Sequence, residues 1–272
     1  MRAAKYPERI VCLTEETTET LYLLGEEARI VGISGFTVRP PRARQEKPRV
    51  SAFTSAKLDK ILALQPDLVL GFSDLQADIA ADLIRAGCEV LVFNQRSVAE
   101  ILDMILRLGT LVGTGARAEA LVADYRQRLT ALAAGTPARR PRVYFEEWDE
   151  PRISGIRWVS ELIQLAGGED IFPELAVKSL GKERILADDH EILARRPEIV
   201  IGSWCGKKFR PERVAARPGW ADLPAVRDGE LHEIKSADIL QPGPAALSDG
   251  LAQLQAIIAA WQARRAGAVA HG

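Results

Sequence analysis

Aromatic residues make up only 6% of the 272 residues, and cysteine, methionine and histidine number 3, 2 and 3. The cysteines, Cys12, Cys88 and Cys205, stand far apart, form no CxxC and leave one over if two pair. That excludes a disulfide-stapled scaffold, and they are read as free thiols. Cys12 and Cys88 sit in or beside apolar runs, where cysteine serves as a small hydrophobe, whereas Cys205 follows a strand-like run. With His190, His232 and His271 as the only histidines and no paired His/Cys spacing, a dedicated transition-metal site finds little support. No apolar run is long enough to span a bilayer. Net charge is -1 with lysine and arginine dispersed, so nothing favours nucleic acid or an anionic membrane. GxSxG, HExxH, the P-loop and a helix-opening GxGxxG are all missing, which points away from an enzyme. MRAAKYPE leads straight into the strand-like Arg9 to Leu13, so no secretory signal is expected within the chain as written. Read as it stands, the chain is cytosolic unless its start is trimmed or misassigned.

What the sequence does contain is an internal repeat. Ile61 to Gly71 reads ILALQPDLVLG and Ile192 to Gly202 reads ILARRPEIVIG, 131 residues further on. That offset is too long for a solenoid period and suits two like domains in tandem. A second echo, ETLYLLGEEARI beside ELIQLAGGEDI, falls in the same order. A hydrophobic fraction of 47% and a charged fraction of 27% are ordinary for a globular protein of one large or two modest domains. In the first half, the strand candidates IVCL, RIVGIS, DLVLGF and EVLVF alternate with helical patterns, the signature of a parallel sheet wrapped by helices. Ser97 and Glu100 form a capping box before the helix AEILDMILRLGTLVG, and ARAEALVADYRQRLTALAA then runs about five turns. In the second half, RVYFEEW, EIVIGSW and ELHEIK are strand candidates and WVSELIQLAG and EILARR helices. The expected division is an N-terminal α/β lobe over 1–96, linking helices over 97–137 and a C-terminal α/β lobe over 138–272. A two-lobed chain of this kind places function first in the cleft between the lobes.

RIVCLTEETTETLYLLG, VGISGF, LDKILALQPDLVLGF, the long joining helix, SGIRWVSELIQLAGGEDIF and ILARRPEIVIG together resemble, in order, the helical-backbone class of substrate-binding proteins. The nearest likeness is to the cobalamin-binding and iron-siderophore-binding proteins of ABC importers, and it runs from about Arg9 to Trp261. The resemblance implies two α/β lobes joined by one rigid helix, here Ala116 to Ala134, and a largely preformed pocket at the carboxyl ends of the strands. It implies a non-catalytic monomer that binds a small molecule, needs no cofactor and engages a membrane permease. It also implies a periplasmic or lipid-anchored location.

Phe36, Phe53 and Phe72 each follow or end a strand of the first half. The resemblance puts them at aromatic positions that pack on a corrin, where flat rings bury much apolar surface. Trp148, Trp204 and Asp238 are the candidates of the second half, with Arg152 and Arg184 falling where aromatics would align. Arginines facing the ligand would favour carboxylates or phosphates. For permease docking the resemblance implies Asp59 in one lobe and His190 in the other, with solvated surface as the plain alternative. The acidic clusters EEWDE (Glu146 to Glu150) and DDHE (Asp188 to Glu191) offer oxygen ligands for a cation. Two further readings stand beside transport: a cytosolic corrinoid binder or sensor, and a chelatase-like enzyme, which would need a histidine facing an acidic partner across the cleft.

Overall fold

The computed structural model describes residues 6–135 and 139–270, with side chains through residue 266; His271 lies outside the described residues. The chain forms two compact units. One comprises the chain up to Gln95, Ala99–Tyr125 and a short return, Gln241–Ala245; the other takes Arg96–Val98, Arg126–Leu240 and the chain from Ala246 on. The helix Gly115–Ala134, about 30 Å long at 1.5 Å per residue, carries the chain from the first unit into the second. Among the described residues no helix is long and apolar enough to cross a membrane.

The first unit is built on β1 (Ile10–Cys12), β2 (Ile30–Ser34), β3 (Arg49–Ser51), β4 (Leu68–Phe72) and β5 (Val90–Phe93). They form a parallel sheet in the order β3-β2-β1-β4-β5. Continuous apolar runs suit strands buried on both faces, and Val11, Leu13, Val50, Ile61, Val69 and Leu83 make one core cluster.

The second unit uses β6 (Arg142–Asp149), β7 (Arg152–Ser154), β8 (Glu169–Asp170), β9 (Ile199–Gly202) and β10 (Leu231–Glu233). Its order is β10-β9-β6-β7, with β8 pairing the start of β6. The expected all-parallel sheet is modified here: β7 returns antiparallel along the end of β6, because Glu150-Pro151 turns the chain back on itself. Its core is aromatic. Tyr144 meets Phe172 and Trp220 edge-on at 5.8 and 6.1 Å, and Trp204 meets Phe209 at 5.0 Å.

The sequence repeat becomes one device built twice. Helix Leu58–Ala63 and helix His190–Arg195 each run into a residue with φ 47°, Gln65 and Arg196, then a proline, then a central strand. The proline disfavours the helical conformation in the residue before it, and the left-handed turn ends the helix there. An arginine at the start of the neighbouring strand caps the freed carbonyls. Arg9 Nε donates to the carbonyls of Leu64 and Gln65 at 3.0 and 3.1 Å; Arg142 Nε donates to those of Arg195 and Arg196, both at 3.1 Å. An acid two residues past the turn holds the same strand's backbone. Asp67 accepts the N–H groups of Glu8 and Arg9 at 2.8 and 2.9 Å, while Glu198 accepts that of Arg142 at 3.2 Å and Arg139 Nη2 at 2.6 Å.

Asp67 is solvent-exposed and Glu198 is only 4% exposed, so the same contact has unequal worth. Asp67→Ala is expected to cost about 1 kcal/mol and Glu198→Ala about 2 to 3, because solvent screens the first acid and leaves the second's partners without water. Urea denaturation of the single variants checks this, and equal losses would refute it.

Candidate ligand-binding site

Parallel sheets bind ligands beyond the carboxyl ends of their strands, where the strand order reverses. In the first unit that point lies between β1 and β4. Phe36, just past β2, is 57% exposed, and Leu75, past β4, is 52% exposed. Phe53, past β3, is half-buried, whereas Phe72, the last residue of β4, is buried in the core. One side chain ties these strand ends together. Gln76 is buried; its Oε1 accepts the Phe72 N–H at 2.9 Å, and its Nε2 donates to the carbonyls of Phe53 at 2.9 Å and Leu13 at 3.4 Å. Beside it Ser73 holds φ 62° and ψ 173°, a region that costs a non-glycine residue on the order of 1 to 3 kcal/mol, and its Oγ caps the Leu75 N–H at 3.2 Å.

The end of β1 runs into Thr14 and the acidic first turn of helix Glu15–Leu23. Thr14 Oγ1 donates to Glu16 Oε1 at 2.6 Å. Glu16 is 1% exposed, and its Oε2 has no hydrogen-bond partner among the described residues. Burial, reinforced by the neighbouring Glu16 and Glu19 charges, pushes the Glu15 carboxyl up to about 8. Burial pushes Glu16 up to about 7, opposed by the Thr14 bond. Glu19 is compensated: Oε1 takes Arg39 Nε at 2.9 Å and Oε2 the Ala245 N–H at 3.0 Å, which fastens the return segment to this unit.

In the second unit β6 ends in Trp148 and Asp149, and Trp204 follows β9. Trp148 is half-buried, its Nε1 donating to the Glu150 carbonyl at 2.9 Å. Trp204 is buried, and its Nε1 donates to Glu146 Oε1 at 3.1 Å. Glu146 is fully buried and satisfied, held bidentately by Arg217 at 2.7 and 2.8 Å and by the Tyr144 hydroxyl at 3.1 Å. Burial, with the Glu146 charge behind it, raises the Tyr144 hydroxyl well above its ordinary value. Lys207 Nζ pairs with Asp149 at 2.5 Å and lies 5.6 and 5.3 Å from the Trp148 and Trp204 ring centres. Asp238 opens a short helix and accepts Gln253 Nε2 at 3.1 Å.

The basic residues here are compensated as well. Arg152 Nε pairs with Asp189 at 2.8 Å, and Asp189 also accepts Trp220 Nε1 at 2.8 Å. Arg184, expected either to face the ligand or to be solvated, does neither. It is 1% exposed, bonds Glu147 Oε2 at 2.5 Å and donates to the Ser154 carbonyl. Glu146, Glu147 and Asp149 of the EEWDE cluster are thus each committed to a cation. Among the described residues no three histidine, cysteine, aspartate or glutamate side chains gather as a metal site.

The sequence pattern described as periplasmic binding protein matches residues 10–237 of this chain. The chain belongs to the periplasmic binding protein family. A vitamin B12-binding protein of Vibrio parahaemolyticus is 25% identical over 250 residues, which cover 89% of this chain and 86% of that protein. Among solved structures, a periplasmic vitamin B12 binding protein of Vibrio cholerae aligns with TM-score 0.75 and 25% identity over 94% of this chain and 98% of its own. A periplasmic heme binding protein from Pseudomonas aeruginosa aligns with TM-score 0.78 and 25% identity over 93% and 92%.

In this periplasmic binding protein, Asp59 and His190 occupy the first turns of the two repeated helices, 131 residues apart, and both are exposed. Sequence reasoning missed Gln76, Leu75 and the Glu15–Glu16 pair. A leucine just past a strand was the available signal for Leu75, whereas Gln76 in SDLQAD reads as solvated loop.

The raised carboxyls set a pH dependence. Between about pH 5 and 8 folded Glu15 and Glu16 keep protons that the unfolded chain has released, so their contribution to stability falls as pH rises through that window. Melting curves of the wild type and Glu16→Gln are expected to diverge from pH 5 to 8, the wild type losing stability relative to the variant. Parallel curves would refute the burial of an ionisable Glu16.

Proposed function

We propose that this protein binds a cobalamin-like or iron-siderophore-like ligand without chemical turnover, as the substrate-binding component of an ABC importer. The observation that carries the reading is the exposure of Phe36 and Leu75, 57% and 52%, at the carboxyl ends of strands. Among the described residues most large apolar side chains are buried, and these two have no part in a core. Exposed apolar and aromatic side chains at strand ends suit the broad surface of a macrocycle. The vitamin B12-binding and heme binding relatives support the same ligand size. Phe53 and Trp148 are the next contacts in this reading, with Phe72 in the first unit and Trp204, Arg152 and Asp238 in the second as its remaining candidates. Asp59 and His190 are the proposed docking points for a permease.

Titration with cyanocobalamin, hemin and ferrichrome, followed by tryptophan fluorescence, is expected to give saturable binding to one of them below roughly 10 μM, near −7 kcal/mol. Phe36→Ala is expected to weaken that binding roughly tenfold with an unchanged melting temperature, since an exposed ring removes contact area and little else. Binding of none of the three overturns the reading. With a partner permease and its ATPase reconstituted in vesicles, Asp59→Lys is expected to lower ligand uptake and leave Kd unchanged; unaltered uptake would remove Asp59 from docking.

A further inference from the structure

The exposed turn past β4 stands on a hidden amide. Gln76 is 1% exposed, so it meets no ligand itself, whereas Leu75 directly before it is 52% exposed. Gln76 closes the turn Asp74–Gln76, and its amide reaches three separate segments. Oε1 accepts the Phe72 N–H at the end of β4, and Nε2 donates to the carbonyls of Phe53, past β3, and Leu13, past β1. One N–H and two carbonyls surround the amide, so a single placement of its oxygen and nitrogen satisfies all three. Neither a leucine nor an ionised glutamate could do so.

The turn above this amide is held in a conformation it would not adopt unaided. Ser73 has φ 62° and ψ 173°; its N–H donates to the Phe93 carbonyl at 2.7 Å, its Oγ accepts the Leu75 N–H at 3.2 Å, and its carbonyl accepts the Gln76 N–H at 3.2 Å. A serine in that region persists only where its surroundings over-determine it. Gly71 supplies the room, since an added Cβ would stand 2.9 Å from Gln76 Oε1. The matching glycine of the repeat, Gly202, leaves its room to the Phe209 ring, so the amide is particular to the first unit.

We propose that Gln76 is a positioning residue for ligand binding, holding the Phe53 loop and the Leu75 turn of the free protein where the ligand meets them. This deepens the binding function proposed above and rests on it. A loop that has to be ordered at the moment of binding costs affinity, and one held beforehand does not. Without the amide, the Phe72 N–H and the two carbonyls are left buried and unpaired, and the segments that carry them shift to find partners. The strain at Ser73 favours the same release.

The test is a mutant cycle, with Kd read by tryptophan fluorescence for whichever of cyanocobalamin, hemin and ferrichrome the wild type binds. Gln76→Leu is expected to weaken binding roughly tenfold in the wild-type background, and less than about twofold in Phe53→Ala/Leu75→Ala, where nothing is left to position. Leu83→Ala, a core variant of the same unit, controls for lost stability and is expected to lower Tm without moving Kd. Gln76→Glu, close to the native side chain in shape, keeps the cycle decisive should the leucine variant misfold. Its protonated carboxyl has one donor and one acceptor, its ionised form acceptors only. The ratio of its Kd to that of the wild type, in which groups common to both cancel, is therefore expected to lie near unity at pH 5 and to rise at least about threefold by pH 8.5. Equal losses in the two backgrounds, a ratio flat with pH, or a Leu83→Ala loss as large as that of Gln76→Leu each overturn the assignment and leave the binding function intact. If the wild type binds none of the three ligands, both fall together.

Discussion

Each unit depends on a clamp at the amino-terminal end of its sheet. A left-handed residue before a proline stops a helix, an arginine from the adjacent strand start takes up the carbonyls left open, and an acid past the proline takes up that strand's N–H groups. The contacts fix where the central strands begin, and therefore their register and where they end. Because Arg9, Asp67, Arg142 and Glu198 do this work at one end, the side chains at the other end are released from it. Phe36 and Leu75 are exposed at that end.

At that released end the two units handle charge differently. The second gathers many ionisable groups, yet Glu146, Glu147, Asp149 and Asp189 each have a cation within 2.5 to 2.8 Å. Buried pairs of this sort position neighbours more than they stabilise. Glu146 fixes the Trp204 indole and Asp149 holds Lys207 beside two tryptophan rings. In the first unit Gln76 plays the corresponding part with a neutral amide, bonding the backbone of Phe72, Phe53 and Leu13.

The fold was largely legible in the sequence, because alternating apolar runs, the Gln65-Pro66 and Arg196-Pro197 breaks and the 131-residue repeat are local signals. Strand β7 was not legible: three residues, Arg152 to Ser154, pair only by virtue of a reversal at Pro151. Nor was the return of Gln241–Ala245 to the first unit, since Glu19 lies 226 residues from the Ala245 N–H it accepts. The site was legible by residue type and not by environment. Phe36 and Phe72 look alike in the sequence, yet one is exposed and the other buried at 4%. Arg152 and Arg184 suggested an anionic ligand because their partners, Asp189 and Glu147, lie 37 residues away and nothing in the chain order announces the pairing. Gln76 was invisible for a similar reason, two of its three contacts, Phe53 and Leu13, lying 23 and 63 residues away.

Hydrogen–deuterium exchange with and without cyanocobalamin measures ligand contact at the strand ends most directly. Slowed exchange is expected at Phe36 and Thr37, around Phe53, at Ser73 to Leu75 and near Trp148. The clamps at Arg9, Asp67, Arg142 and Glu198 should stay unchanged. Protection confined to the clamp ends, or none at the carboxyl ends under saturating ligand, would contradict the placement of the binding site.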